Sequence, residues 1–149
     1  RKMHLFSPGR EDRHYRAGDA ITLVDVHAGD ATWRVAPAIC YDLRYPELFR
    51  LAALAGAEVF TIGACWPAPR APHRRALAIA RAIENQAYVM GVNRVGTGGG
   101  LVYSGGSRIV GPFGEDIARA GDGETIIYGE VSPQYVRDIR ARYPFLRDR

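Results

Sequence analysis

Alternating apolar and polar positions mark the first third of the chain. Ala20 to Val26 reads as a short β-run, His27-Ala28-Gly29-Asp30 supplies turn chemistry, and Thr32 to Cys40 resumes the β-pattern, which predicts a hairpin. Pro37 inside the second run has no N–H to give, so it predicts an edge, a bulge or a non-bonding position. After Cys40 the period changes. Pro46 suits a first helical turn, and Leu48, Phe49, Leu51, Ala52 and Leu54 keep helical spacing until Gly56 ends the helix. Glu58 to Ile62 predicts a buried strand, and Ala64 to Pro72, with Pro67 and Pro69, a rigid loop. Residues 73–86 predict an amphipathic helix carrying Leu77, Ile79, Ala80 and Ile83. Ala87 to Asn93 returns to strand, Gly96 to Gly100 is a turn, and further strands are expected around Ser107 to Val110 and Thr125 to Val131. A last helix begins near Ser132-Pro133. Strands and helices alternate, which predicts an α/β fold. No repeat, low-complexity tract or linker divides the chain, so a single domain over 1–149 is expected.

Composition narrows the class. The 149 residues are 47% hydrophobic and 24% charged, which excludes disorder and collagen. No apolar run nears the roughly 20 residues that cross a bilayer, and no secretory signal opens the chain, so a soluble, cytoplasmic protein without a membrane partner is expected. The formal charge of +4 is carried by arginine, because Lys2 is the only lysine. Acidic residues are interspersed with the arginines, which favours a solvated, ion-paired surface over a nucleic-acid patch. Arg137, Arg140, Arg142, Arg147 and Arg149 are expected to decorate a helix and tail. His4, His14 and His73 lack metal-ligand spacing, and Cys40 and Cys65 have neither zinc spacing nor the number for a disulfide framework, so no metal is expected. The glycine run lacks a P-loop lysine, so no nucleotide cofactor is implied. Glu84 and Asn85 read as structural, with Arg81 or Arg108 as the partner of the glutamate.

Cys40 stands where a strand gives way to Tyr41-Asp42-Leu43-Arg44-Tyr45-Pro46 and then a helix, a layout like the elbow that lifts a nucleophile to the top of a sheet. A thiol with a pKa of about 8.5 is barely ionised at neutral pH, but a helix N-terminus and a cation favour the thiolate. An ionised sulfur open to solvent is therefore the expectation. On spacing alone a buried, inert cysteine is the commoner outcome. Cys65, with no base or cation beside it in sequence, is expected to be inert. Lys2 by itself would be a frayed terminal charge.

The words around these residues change that balance. Ile39-Cys40-Tyr41-Asp42-Leu43-Arg44-Tyr45-Pro46-Glu47 resembles the nucleophile motif of the nitrilase, or carbon-nitrogen hydrolase, superfamily, and Lys2-Met3-His4-Leu5-Phe6 resembles the segment that carries its catalytic lysine. Residues 81–89 and 107–115 also look like family segments, so the resemblance covers essentially the whole chain. Cys65-Trp66-Pro67-Ala68-Pro69-Arg70 is similar to the ω-amidase-like branch, whose members hydrolyse the terminal amide of short 2-oxo dicarboxylate monoamides. The resemblance implies an αββα sandwich and a Glu, Lys, Cys triad working through a thioester. Cys40 would be the nucleophile, while Lys2 and the N–H of Tyr41 would face the oxyanion. Glu11 would orient the lysine and the attacking water.

The family's general-base glutamate lies upstream of its lysine, in a part of the domain that these residues do not include. The resemblance therefore implies the later portion of the sandwich, with one apolar sheet face uncovered, and a chain inactive on its own. An acidic substrate needs a fixed cation, for which Arg44 and then Arg70 are the candidates, with surface or interface ion pairs as the alternative. Trp66 would wall the pocket or pack in the core. The family also implies a homodimer or larger assembly, for which Tyr143-Pro144-Phe145-Leu146 could serve as an interface tail. A noncatalytic module kept for assembly is the competing class.

Overall fold

A computed structural model describes residues 1–148. The strands are β1 (Val24–Ala28), β2 (Ala31–Ile39), β3 (Val59–Ala64), β4 (Tyr88–Asn93), β5 (Val95–Gly98), β6 (Leu101–Ser104), β7 (Arg108–Val110) and β8 (Asp116–Arg119), with helices α1 (Pro46–Leu54), α2 (Ala71–Asn85) and α3 (Pro133–Arg142). Six strands form one mixed sheet in the order β1-β2-β3-β4-β7-β8, and β5-β6 form a separate hairpin. The two central pairings, β2 with β3 and β3 with β4, are parallel. Their crossovers, α1 and α2, cover one face of the sheet.

Each element has a local cause. Tyr45 is extended, Pro46 opens α1 where no N–H is needed, and Gly56 turns the chain at φ +98° beyond its end. Ser132 caps α3 by accepting the Tyr135 N–H. Under α1 and α2 the sheet presents Ala36, Ala38, Phe60, Ile62, Val89 and Val110 to Leu48, Phe49, Ala52, Ala78 and Ala82. Phe49 and Phe60 meet edge to face at 5.1 Å in the centre of that layer. On the other face Trp33, Val59 and Tyr88 close around Val136 of α3.

That second face is only partly covered. Ile39, Gly63 and Val92 form one row across β2, β3 and β4, and Ile39 and Val92 are 45% and 64% exposed. Val24 and Val26 of β1 are exposed as well. The uncovered apolar sheet face expected above is thus present in the described residues.

The sequence pattern overshoots in places. Ala20 to Leu23 are not strand, since β1 begins at Val24. Thr125 to Val131 alternate but pair with nothing, because β8 takes the place beside β7, and Ile126 and Tyr128 are left 76% and 82% exposed. A strand needs a ladder partner as well as a period. The glycine run is more than a turn: β5 and β6 flank Gly99 and Gly100 as a hairpin. Pro37 pairs Thr61 on the β3 side, and β1 stops opposite Val35, so on the other side the missing N–H faces no strand. Arg140 does not decorate the surface. It donates to the carbonyls of Ala57, Asn85 and Gln86, capping the end of α2. Among the described residues no helix is long and apolar enough to cross a membrane.

Candidate active site

The strand-to-helix junction after β2 is a tight 3-10 turn, Cys40–Arg44, entered by Cys40 itself at φ +48°. A non-glycine residue in this region is uncommon and is retained where surrounding contacts over-determine it. Those contacts converge on Asp42, which is 1% exposed. Its carboxylate accepts the Ile39 N–H at 3.0 Å, the His4 N–H at 2.8 Å and the His4 ring Nδ1 at 3.0 Å, with a longer bond from Met3 N–H. The His4 ring also stacks on Tyr45 at 3.7 Å. One buried carboxylate therefore ties the Lys2-Met3-His4 segment to the turn that carries Cys40. From the other side Arg81 donates twice to the Leu43 carbonyl and once to Glu84, the partner expected for that glutamate. Arg108 pairs with Asp116 instead. No motif reading singled out Asp42, although it stands two residues from the cysteine in the quoted word.

Lys2 is not frayed. Its side chain is 12% exposed, and its Nζ donates to Glu11 at 2.5 Å. The Glu11 carboxylate also accepts the Phe6 N–H at 2.7 Å. Burial pushes the Glu11 carboxyl up, but the hydrogen bonds from Lys2 and Phe6 and the lysine charge prevail and hold it below its ordinary value. Cys40 departs from expectation in the opposite direction. Burial raises its thiol above the ordinary range, and the Cys65 N–H and the Lys2 charge only partly offset this. The sulfur is half-buried and rests protonated at neutral pH, so it needs a base before it can attack.

Lys2, Glu11, Cys40, Tyr41, Arg44, Trp66 and Arg70 all line one cavity of about 730 Å³. Tyr41 is the second residue of the 3-10 turn, where a backbone N–H has no carbonyl a turn earlier to receive it. Trp66 serves both expected roles. It is 3% exposed, its backbone N–H donates to Asn93, its ring N–H donates to the Arg70 carbonyl, and the Arg44 guanidinium lies 4.8 Å above the ring. Among the described residues neither Arg44 nor Arg70 has a carboxylate partner, so neither forms a surface ion pair within the chain. Arg1 and Arg16 add cations to the wall, and among the described residues Glu11 is its one acid, which makes the cavity strongly electropositive.

Two features of the wall were not legible as site residues. Leu101 and Tyr103 of the β5-β6 hairpin border the cavity, with Arg94 over the Tyr103 ring at 4.6 Å. Cys65, expected to be inert, is exposed and lines the cavity with Cys40. His14 and His73 do not line it, and no group of metal-ligating side chains occurs among the described residues. The aromatic tail partly folds back on its own domain: Tyr143 packs on Phe113 and Phe145, and its carbonyl receives Gln86, while Phe145 stays exposed.

Known proteins share this arrangement of elements. The chain is 44% identical to the omega-amidase YafV of Escherichia coli K12 over 99% of its length and 56% of that protein, and 35% identical to the 2-oxoglutaramate amidase of Bacillus subtilis 168 with the same two coverages. It spans about half the length of these curated relatives. The crystal structure of XC1258 from Xanthomonas campestris, a CN-hydrolase superfamily protein with an arsenic adduct in its active site, superposes with a TM-score of 0.87 at 33% identity, covering 99% of this chain and 57% of that one. A carbon-nitrogen hydrolase from Helicobacter pylori G27 superposes at 0.88, with 28% identity, 99% of this chain and 56% of that one covered. The carbon-nitrogen hydrolase family matches residues 1–141, and the chain belongs to that family.

Proposed function

We propose that the protein is a thiol amidohydrolase that cleaves the terminal amide of a small carboxylate-bearing substrate, of the 2-oxo dicarboxylate monoamide type, and releases ammonia through a thioester. The observation that carries the reading is the meeting of Cys40, Lys2, the only lysine in the sequence, and Arg44 and Arg70, which have no carboxylate partner among the described residues, in one cavity. Ionised Cys40 attacks the amide carbon. The Lys2 ammonium and the Tyr41 N–H receive the oxyanion, a form of stabilisation worth a few kcal/mol per donor, about 3. Collapse, with the proton taken from the thiol returned to the leaving nitrogen, expels ammonia and leaves an acyl-Cys40. Water then attacks the thioester, and the free acid departs.

Glu11 holds Lys2 in place and is a poor base for Cys40, since its carboxyl is held low and its bonds to Lys2 and Phe6 occupy it. No other carboxylate lines the cavity among the described residues. The proton on Cys40 therefore has no local acceptor, and we infer that these 149 residues alone turn over slowly; the resemblance assigns that task to a further glutamate. Arg44, braced on Trp66, and Arg70 take the distal carboxylate, because a planar fork pairs with it in two bonds.

The test compares ammonia release by the native-length protein from 2-oxoglutaramate and from a neutral amide of similar length. The expected result is a clear preference for the acid, and Arg44→Gln raises KM for the acid far more than for the neutral amide. Equal KM changes for both substrates would refute the assignment of Arg44. The same reading includes assembly into a homodimer or larger oligomer, for which light scattering of a lone monomer would be contrary.

A further inference from the structure

Cys65 has no part in the proposed turnover, yet it shares a cavity with Cys40. The β2/β3 register pairs Ile39 with Gly63, so the two cysteines leave neighbouring strands one position apart. Strands about 4.8 Å apart with a rise of about 3.3 Å per residue would set the Cα atoms roughly 6 Å apart, and Cys40, turning out of β2 at φ +48°, leaves the strict alternation of faces so that both residues line the one cavity. A disulfide spans Cα separations of roughly 4.4 to 6.8 Å. The two residues line the same cavity, and the Cys65 backbone N–H is near enough to the Cys40 sulfur to lower its thiol in part. Both thiols are free, Cys65 is exposed, and the adjoining Gly63 has open space on its side-chain face, so the strand end has room to adjust.

We propose that Cys40 and Cys65 form a dithiol site that peroxide closes into a disulfide. A thiolate of the pair attacks a peroxide oxygen, breaks the O–O bond and becomes a sulfenic acid while hydroxide leaves. The second thiolate attacks that sulfur, forms the S–S bond and expels a second hydroxide. The two thiol protons convert both hydroxides to water. The sum is two thiols and one hydrogen peroxide going to one disulfide and two waters, with both electrons supplied by sulfur. The disulfide would protect Cys40 from irreversible sulfinic acid, and a dithiol reductant reopens the pair. Loss of turnover on closure rests on the proposed role of Cys40; formation of the bond does not.

The 149-residue chain, treated with about two equivalents of hydrogen peroxide, enough to carry a lone thiol to sulfinic acid, is denatured, alkylated, weighed intact and then digested. It contains only these two cysteines, so the readout is direct. The expected product is about 2 Da lighter, carries no alkyl group, and yields one peptide pair linked through Cys40 and Cys65 within a single chain. Dithiothreitol restores two alkylation sites. In Cys65→Ser the remaining thiol advances instead to a product about 32 Da heavier that dithiothreitol does not reverse. Sulfinic acid accumulating equally in both proteins, or disulfides only between chains, would overturn the proposal. Phenylarsine oxide, which bridges two close thiols, supplies a test without an oxidant. One equivalent should resist displacement by a monothiol in the unmodified chain and not in Cys65→Ser, and equal retention would count against the pair. In the native-length protein, disulfide formation with ammonia release unimpaired would leave the dithiol standing and remove Cys40 as nucleophile.

Discussion

Replacing Asp42 isolates the contact that joins the lysine segment to the cysteine turn. In Asp42→Ala three short hydrogen bonds to a buried carboxylate disappear, two from the His4 backbone and ring and one from Ile39. A bond to a charged group contributes about 1.5–3 kcal/mol, which bounds the gross loss at roughly 5–9 kcal/mol. His4 sits on a partly exposed segment and can turn to water, whereas Ile39 N–H stays at the strand end, so the net cost is about 3–5 kcal/mol. Asp42→Asn keeps one acceptor oxygen but points an amide N–H at a donor, and is expected to lose about half of that. Urea unfolding reads the stability. The site itself is read by the pH profile of Cys40 alkylation with iodoacetamide in Cys65→Ser background. With Lys2 released, its charge no longer lowers the thiol, so in Asp42→Asn the profile moves to higher pH, as in Lys2→Met. A destabilised Asp42→Asn whose alkylation profile coincides with that of the parent would refute the reasoning, since Lys2 would then be held without Asp42.

Four further outcomes follow from the same geometry. Burial holds the Cys40 thiol above its ordinary value, so the unfolded chain ionises first and stability falls as pH rises past about 8.5; Cys40→Ser lessens that decline, measurable by urea midpoints at pH 7 and 9, below the range of the raised Tyr45, Tyr88 and Tyr135. Glu11 is held below its ordinary value, so its contribution is present above the carboxylate range and is lost as pH falls through the lowered pKa; Glu11→Gln flattens that acid limb in a thermal melt series. Phe49→Ala, at a fully buried site against Phe60, costs about 3–5 kcal/mol in urea, and a loss under 1 kcal/mol would contradict the packing. Val92→Lys on the uncovered sheet face changes the stability of the 149-residue chain by less than about 0.5 kcal/mol, whereas a large loss would mean that the face is covered in solution.

The elements with strong period and firm punctuation were legible. Pro46 and Gly56 bracket α1 almost as expected, because caps are local properties, whereas the apolar spacing of α2 misses its buried side: Arg74, Ala78, Arg81, Ala82 and Asn85 are buried, Leu77 and Ile79 only partly so, and Ile83 is 47% exposed. Thr125 to Val131 shows the limit of pattern, since alternation cannot reveal whether a partner strand lies alongside. The seven site residues came together because a motif word carries several of them at once, and Lys2 became credible only through its neighbours. Asp42 and Cys65 were not legible as contributors. The first acts through backbone N–H groups nearly forty residues away in sequence, and the second reaches the cavity through the register of two parallel strands. The raised Cys40 thiol was likewise hidden, because burial depends on how α1, α2 and the N-terminal segment close around it.

In the proposed turnover Cys40 carries the acyl group, and rapid acid quenching of the native-length protein during turnover of 2-oxoglutaramate tests this. Intact mass and peptide mapping should find a fraction of chains heavier by the substrate less ammonia, with the addition on Cys40 and none in Cys40→Ala, which releases no ammonia. Undiminished ammonia release by Cys40→Ala, with no adduct on any residue of the parent protein, would contradict the account.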